Sequence, residues 1–168
     1  MLDIKKIILR PEAEIMSAWE DKENIEVSIL CTAYNQEGYI EDAIRGFLMQ
    51  ETDFAFEIII HDDASLDKTP TIIKKYQTEY PKIIKPIFQS DNQYSKGKYK
   101  PIYYTSQFTS GLYIALCEGD DYWISTNKLQ LQYLAFQESP DLNLVIHDAY
   151  TVNHDGDIQK RKFPKRKN

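Results

Sequence analysis

The sequence predicts an α/β protein with three layers, in which helices cover both faces of a mostly parallel central sheet. From residue 27 onward, short apolar runs alternate with segments of helical periodicity, a pattern typical of parallel sheets. Several of these runs are followed at once by polar clusters, as expected at the ligand-binding edge of an open α/β sheet. The length of 168 residues is sufficient for one domain with a substantial core.

Five apolar runs, each short and bounded by polar or turn residues, are predicted to be strands. They are Val27–Ala33, Phe56–His61, Ile83–Phe88, Tyr113–Cys117 and Leu142–Ile146. Right-handed crossovers between parallel strands would place the carboxyl ends of all five along one edge of the sheet.

Helices are predicted between these strands from apolar residues at helical spacing. The first carries Ile40, Ala43, Ile44, Phe47 and Leu48; the second begins at Thr69 and Pro70; the third covers Lys128–Glu138, with Leu129, Tyr133 and Phe136 on one face. Shorter helical segments are expected within Pro11–Lys22 and Tyr104–Ser110. We divide the chain into an N-terminal extension (1–25), a main domain (26–155) and a C-terminal tail (156–168).

The distribution of charge argues against binding of nucleic acid. The formal net charge is -6, and six Lys/Arg residues are concentrated in Lys160–Asn168. The remaining, acidic part of the chain does not resemble a nucleic-acid-binding protein. Two interpretations of the basic tail stay open: peripheral contact with an anionic membrane surface, and a solvated chain terminus.

The positions of the two cysteines indicate the cellular compartment of the protein. Cys31 and Cys117 each lie within an apolar run, which favours buried free thiols in a reducing environment over a disulfide. The N-terminus shows no secretory signal. We therefore expect a cytoplasmic protein, with the inner face of the membrane as a second possible location.

The segment Glu118–Trp123 is the most informative stretch of the chain. Its three carboxylates fall within four residues, directly after a predicted strand. Such closely spaced negative charges are most easily accommodated when a cation lies between them, and divalent metal ions prefer oxygen ligands. This pattern predicts a metal site that holds an anionic group such as phosphate. The alternative is a solvated acidic turn that caps the following helix.

Two further polar clusters, Thr32–Glu37 and His61–Ser65, are predicted at the same sheet edge. Two acid pairs at one edge favour a shared ligand or metal. We expect one of Asp62 and Asp63 to be held by backbone donors and the other to face a ligand, for instance the ring N–H of uracil. The polar residues that follow, namely Ser65, Asp67 and Thr69, are alternatively caps of the next helix.

Two neighbouring side chains also have two interpretations. Tyr34 is either a stacking surface for a base or a packed aromatic residue. His61 is either a metal ligand or, as we expect from its place within a strand, a buried hydrogen-bonded residue.

Three motifs together resemble those of the family 2 glycosyltransferases of the GT-A fold, bacterial enzymes that often build surface glycans. The motifs are Val27–Asn35, Ile58–Thr69 and Glu118–Trp123 followed by Lys128-Leu129. The resemblance covers the chain from about Val27 to about Val152. In this family the third motif is an Asp-x-Asp sequence, and Glu118 replaces its first acid.

The resemblance implies a site with two halves. The nucleotide base would be bordered by Thr32, Ala33, Tyr34, Glu37 and Asp63, with Asp63 accepting the uracil ring N–H. The ribose and diphosphate would contact Glu118, Asp120 and Asp121, with Asp120 and Asp121 holding Mn²⁺ or Mg²⁺. Exposed lysines at positions 96, 98 and 100 are further candidates for contacts with the diphosphate.

The implied function is transfer of a sugar from a nucleotide-diphosphate donor, with UDP expected, to a glycan or lipid-linked acceptor. The catalytic base is not identified; His147 and Asp148, after the fifth predicted strand, are the candidates. Because the acceptor side of this family lies well downstream of its Asp-x-Asp motif, the alternative is a truncated donor-binding module without transferase activity. A third hypothesis, a phosphoacceptor signalling domain, leaves Glu118–Trp123 unexplained.

Overall fold

The computed structural model describes residues 4–97 and 100–152, together with the backbone of residues 158–159. The chain divides into two compact units, with the boundary between Tyr133 and Leu134. The first unit contains the central sheet and every candidate site residue except His147 and Asp148. The basic tail and Lys98 lie outside the described residues.

The first unit is built on a four-stranded parallel sheet. Its strands are β1 (Ile25–Ala33), β2 (Ala55–Asp62), β3 (Ile84–Phe88) and β4 (Tyr113–Leu116), in the spatial order β3-β2-β1-β4. Every neighbouring pair in this sheet is parallel. The predicted α/β class is thus confirmed, and β1 lies between the two strands that carry the acidic motifs.

The three longer helices agree with the predicted periodicity, whereas the short helix expected within Tyr104–Ser110 begins three residues earlier, at Pro101. The helices are α1 (Glu12–Ser17), α2 (Ile40–Leu48), α3 (Thr69–Glu79), α4 (Pro101–Thr105) and α5 (Lys128–Glu138), with short 3-10 helices at Ile4–Lys6 and Ser106–Phe108. No helix in the described part of the chain is long and apolar enough to cross a membrane.

One face of the sheet forms the hydrophobic core. Alternate residues of β2, such as Phe56, Ile58 and Ile60, are fully buried against the apolar sides of α2 and α3. The segment before β1 contributes Ile15 and Trp19 to the same core, and the Trp19 and Phe56 rings meet edge to face at 5.5 Å. The N-terminal residues therefore stabilise the sheet that carries the site.

The opposite face of the sheet holds a buried polar network around Glu57. The Glu57 carboxylate accepts hydrogen bonds from the Ser28 hydroxyl (2.6 Å) and the Ser110 backbone N–H (2.6 Å), and it pairs with the Lys85 ammonium. Burial raises the pKa of Glu57, but the hydrogen bonds from Lys85, Ser28 and Ser110 outweigh burial and leave this pKa below its ordinary value. The network ties the start of β4 to β1, β2 and β3.

The predicted fifth strand is wrong. Leu142–Ile146 has no regular secondary structure, and Leu144 is 74% exposed. The second unit instead contains a short antiparallel pair, β5 (Thr151–Val152) and β6 (Ile158–Gln159). An apolar run becomes a strand only when another strand satisfies its backbone groups, and the structure shows no such pairing for Leu142–Ile146.

Replacing Glu57 by glutamine should lower the free energy of unfolding by about 2 kcal/mol at neutral pH, because buried donors lose a charged acceptor. A carboxyl group whose pKa is lowered by folding stabilises the protein above its unfolded-state pKa, and this contribution is lost as the pH falls through the folded-state pKa. The difference between wild type and Glu57→Gln should therefore shrink on acidification. Urea unfolding at several pH values measures this difference in unfolding free energy. Glu79→Gln, a substitution at an exposed position, is the control. If the difference in unfolding free energy between the two proteins did not change with pH, Glu57 would not be charged in the folded protein.

Candidate nucleotide-sugar site

The carboxyl ends of β1, β2 and β4 meet at one edge of the sheet. Ala33 of β1 is in register with Asp62 of β2, and the Asp63 N–H donates to the Ala33 carbonyl (2.9 Å). On the other side of β1, the Gly119 N–H donates to the Thr32 carbonyl (3.0 Å). Backbone pairing thus continues past the strands and places the two acidic motifs on either side of Thr32 and Ala33.

Gly119 allows the close approach of the acidic segment to β1. A Cβ atom at this position would lie 2.4 Å from Gln36 Oε1, 3.0 Å from Ile40 Cδ1 and 3.2 Å from Ala33 Cβ. A larger residue would therefore have to displace the ends of the Gln36 and Ile40 side chains and would crowd Ala33. The glycine between the two acids thus relieves crowding against the β1 loop.

The loops that follow β1 and β2 are joined by hydrogen bonds between side chains and backbone. Ser65 Oγ accepts from the Asn35 N–H (2.8 Å), Thr69 Oγ1 from the Gln36 N–H (2.8 Å), and Asp67 Oδ2 from the Glu37 N–H (2.9 Å). In the reverse direction, Asn35 Oδ1 accepts from the Leu66 N–H and Glu37 Oε2 from the Lys68 N–H. These bonds fix the first loop against the second.

The main role of Ser65, Asp67 and Thr69 therefore differs from the helix-capping interpretation. Their side chains hold the β1 loop, although Asp67 Oδ1 also accepts from the Thr69 N–H (2.8 Å). Burial raises the pKa of Asp67, but the hydrogen bonds from Thr69 and Glu37 outweigh it and lower this pKa overall. Asn35 adopts a left-handed backbone conformation (φ 52°), which asparagine tolerates better than most residues.

Asp62 and Asp63 are both buried, with 2% and 3% of their surfaces exposed. Asp63 accepts two backbone N–H groups, from Gln93 (2.8 Å) and Tyr94 (3.0 Å), and Asp62 Oδ2 accepts from the Ser65 N–H (3.2 Å). Asp62 Oδ1 has no hydrogen-bond partner in the described part of the chain, and burial raises the pKa of Asp62. Asp62 is therefore held by a local backbone donor, as expected for one of the two acids, whereas Asp63 is held by backbone donors of a distant segment.

The Gln93 and Tyr94 contacts were missed at the sequence level. The two residues lie about thirty positions from Asp63, in the polar connection between β3 and α4. Their backbone amides, and not their side chains, make the contact, so their residue types carry no signal for it.

The three acids of the β4 motif lie in a different environment. Glu118, Asp120 and Asp121 are exposed and form no ion pair with any residue that the structure describes. Partial burial and the neighbouring Asp120 carboxylate raise the pKa of Asp121. Neighbouring like charges repel each other, and a bound cation would stabilise them.

The carboxylates of the β4 motif are suitable ligands for a divalent metal ion. Among residues 4–97 and 100–152, no three His, Cys, Asp or Glu side chains are grouped closely enough to form a metal cage. Magnesium-type ions are commonly held by one or two carboxylates together with substrate phosphates, and not by an all-protein cage. Exposed oxygen donors at Asp120 and Asp121 fit that kind of site.

The other candidate residues are placed as follows. Tyr34 is 45% exposed beside the edge, whereas His61 is fully buried and its Nε2 lies 3.1 Å from Gln89 Nε2, as expected for a packed strand residue. Lys96 pairs with Asp91 (2.9 Å), and Lys100 is exposed. His147 and Asp148 are exposed in the second unit, where their predicted strand does not form.

Both cysteines are free, as expected. Cys31 is buried in β1, and Cys117 precedes the acidic segment. Burial and the neighbouring Asp121 raise the pKa of Cys117 to about 12. Neither thiol is ionised at neutral pH, so neither is suited to be a nucleophile.

Comparison with known proteins identifies the family. The model of glycosyl transferase family 2 matches residues 28–167. This chain belongs to glycosyl transferase family 2. The assignment replaces the signalling-domain hypothesis and agrees with the three motifs at the sheet edge.

Relatives and solved structures support this assignment. An uncharacterized protein of Mycobacterium tuberculosis is 39% identical over 138 residues, which cover 82% of this chain and 39% of that protein. The Escherichia coli UDP-Glc:alpha-D-GlcNAc-diphosphoundecaprenol beta-1,3-glucosyltransferase WfaP is 37% identical over 100 residues, covering 60% and 37% of the two chains. The chain thus spans about two fifths of the length of these relatives.

The fold is shared with TarS of Staphylococcus aureus. The structure of TarS 1-349 in complex with UDP-GlcNAc aligns with a TM-score of 0.58 and 26% identity, over 68% of this chain and 32% of TarS. The same part of TarS is known in complex with UDP. The expected GT-A fold is therefore confirmed for the first unit.

Substituting Asp67 by alanine should destabilise the protein by about 1 to 2 kcal/mol, because two backbone N–H groups lose a charged acceptor. Thermal and urea unfolding measure the loss. Lys68→Ala is the matched control, since it truncates the adjacent exposed side chain and leaves the loop contacts in place. Equal stability of the two variants would show that the bonds from Asp67 do not hold the loops together.

Proposed function

We propose that the carboxyl edge of the sheet binds a nucleotide-sugar donor, with UDP as its nucleotide, and that the protein transfers the sugar to a glycan or lipid-linked acceptor. The observation that carries the proposal is the backbone pairing of Gly119 with Thr32 and of Asp63 with Ala33. This pairing brings Tyr34, the buried Asp63 and the exposed acids of the β4 motif to one edge of the sheet. TarS binds UDP and UDP-GlcNAc, and WfaP is named for UDP-Glc and a diphosphoundecaprenol-linked acceptor.

The base-binding half would be formed by the β1 and β2 loops. Thr32, Ala33 and the exposed Tyr34 would border the base. Although the Asp63 carboxylate already accepts two backbone N–H groups, each carboxylate oxygen has a second lone pair for the uracil ring N–H. Glu37 would contribute mainly by its bond to the Lys68 N–H, which shapes this pocket.

The diphosphate-binding half would be formed by the β4 motif. Asp120 and Asp121 would hold Mn²⁺ or Mg²⁺ against the diphosphate, with Glu118 beside the ribose. A metal ion bound there would screen the charge that develops on the departing nucleoside diphosphate. The exposed Lys100 would supply a cation from the connection between β3 and β4.

The chemical step is displacement at the anomeric carbon of the donor sugar. The bond from this carbon to the diphosphate oxygen breaks, a bond to an acceptor hydroxyl oxygen forms, and the hydroxyl proton passes to a base. We assign no base to His147 or Asp148, because both lie in an exposed segment without the strand that was expected to position them.

Isothermal titration calorimetry with UDP, GDP and dTDP, each with and without Mn²⁺, tests the proposal. We expect UDP to bind most tightly and Mn²⁺ to strengthen its binding. Absence of nucleotide binding with Mn²⁺ present would refute the donor site. Binding without sugar transfer in a radiolabelled UDP-sugar assay would support the donor-binding module as the function of this chain.

Asp121→Asn should weaken Mn²⁺-dependent UDP binding by about tenfold or more, with an unchanged melting temperature, since an exposed metal ligand is lost. The matched control is Glu23→Gln, which removes one exposed acid before β1, at the opposite edge of the sheet. Equal UDP affinity of wild type and Asp121→Asn would argue against Asp121 as a metal ligand.

A further inference from the structure

Gln50 is a fully buried polar residue that follows the C-terminus of α2. Its amide Nε2 donates to the carbonyl oxygens of Gly46 (3.1 Å) and Ser125 (2.7 Å), and its Oε1 accepts from the Leu129 N–H (3.0 Å). One of these three bonds goes to Ser125 in the segment that connects the acidic motif to α5, and another goes to Leu129 in the first turn of α5. A buried amide with all its groups satisfied in this way specifies one arrangement of the chain around it.

Additional contacts hold the same connecting segment against α2. The Glu51 N–H donates to the Thr126 carbonyl (2.7 Å), and the Phe47 and Trp123 rings meet edge to face at 4.9 Å. Gly46 permits this packing, because a Cβ atom there would lie 2.9 Å from the Trp123 backbone nitrogen. The segment Trp123–Leu129 is therefore fixed on the helix by both backbone and side-chain contacts.

The acidic motif is thus attached at both of its ends. At one end Gly119 is bonded to Thr32 of β1, and at the other Trp123 is packed on α2. Asp120, Asp121 and Tyr122 span the short distance between these attachments. Because so few residues lie between the attachments, movement at either end displaces the two carboxylates.

We propose that Gln50 is a positioning residue for the acidic motif. By fixing Trp123–Leu129 on α2, it holds Asp120 and Asp121 where they meet the diphosphate of the donor, and it touches neither donor nor metal. This inference rests on the proposed function, because it assigns to Asp120 and Asp121 the diphosphate half of that site. In an active site, a displacement of such groups by about 1 Å is enough to lower the reaction rate about a hundredfold.

A purely structural role for Gln50 predicts a different result from a positioning role. Loss of general stability would affect all ligands of the site alike. Loss of positioning would mainly affect ligands whose diphosphate reaches Asp120 and Asp121, and it would affect far less a nucleoside, whose ribose meets this motif only at Glu118. Uridine lacks the diphosphate and therefore serves as the discriminating probe.

The test uses Gln50→Met, which keeps the length of the side chain but removes its hydrogen bonds. Gln50→Asn, which is shorter and still polar, is the second variant if Gln50→Met does not fold. Thr78→Val is the control, because it removes a side-chain hydrogen bond to the Lys74 carbonyl within α3 and leaves every contact of Gln50 in place. Binding of UDP with Mn²⁺ and of uridine is measured for each variant, together with hydrogen exchange of peptides covering residues 117–129.

We expect the Gln50 variants to bind UDP with Mn²⁺ about tenfold more weakly than wild type. Uridine binding should change by less than about twofold. Hydrogen exchange over residues 117–129 should be faster, and Thr78→Val should match wild type in all three measurements.

Three results would overturn the inference while leaving the proposed function intact, provided that wild type binds UDP. They are unchanged UDP binding in the Gln50 variants, an equal loss of UDP and uridine binding, and unchanged exchange over residues 117–129. Failure of wild type to bind UDP would instead overturn both the proposed function and this inference.

Discussion

The central position of β1 in the parallel sheet is the constraint on which the site depends. With β2 on one side and β4 on the other, β1 is the strand whose backbone reaches both acidic motifs. Hydrogen bonds from Asp63 to Ala33 and from Gly119 to Thr32 extend the pairing beyond the strands themselves. Since parallel strands all end at the same edge, residues about thirty and ninety positions from Thr32 become its neighbours.

The two halves of the site are supported in different ways. The β1 and β2 loops hold each other through reciprocal bonds that involve Asn35, Glu37 and Asp67. Among the described residues, the acidic motif of β4 is held by the bond from Gly119 to Thr32 and, from behind, by α2 and the buried amide of Gln50. Hydrogen bonds between the two loops therefore hold the proposed base-binding half in place, whereas the geometry of the proposed diphosphate-binding half depends on helix packing.

Much of this fold is encoded in local patterns. The four strands of the sheet are predicted because each is a short apolar run with polar ends, and α5 because its apolar residues recur at helical spacing. Leu142–Ile146 has the same composition but forms no strand, because strand formation requires a partner and a local pattern carries no information about the partner. The roles of Ser65 and Gln50 were not predicted for a related reason: their partners lie thirty to seventy-nine residues away.

The two acid pairs also show how the same residue type meets opposite electrostatic conditions. The Asp63 carboxylate is buried, and backbone N–H groups of Gln93 and Tyr94 compensate its charge within the protein. The carboxylates of Asp120 and Asp121 are exposed next to each other, where they repel, and the pKa of Asp121 is raised. Internal donors thus stabilise the charge of Asp63, whereas an external cation would stabilise the charges of Asp120 and Asp121. This difference assigns the metal-binding part of the proposed site to the β4 motif and leaves Asp63 to shape the pocket for the base.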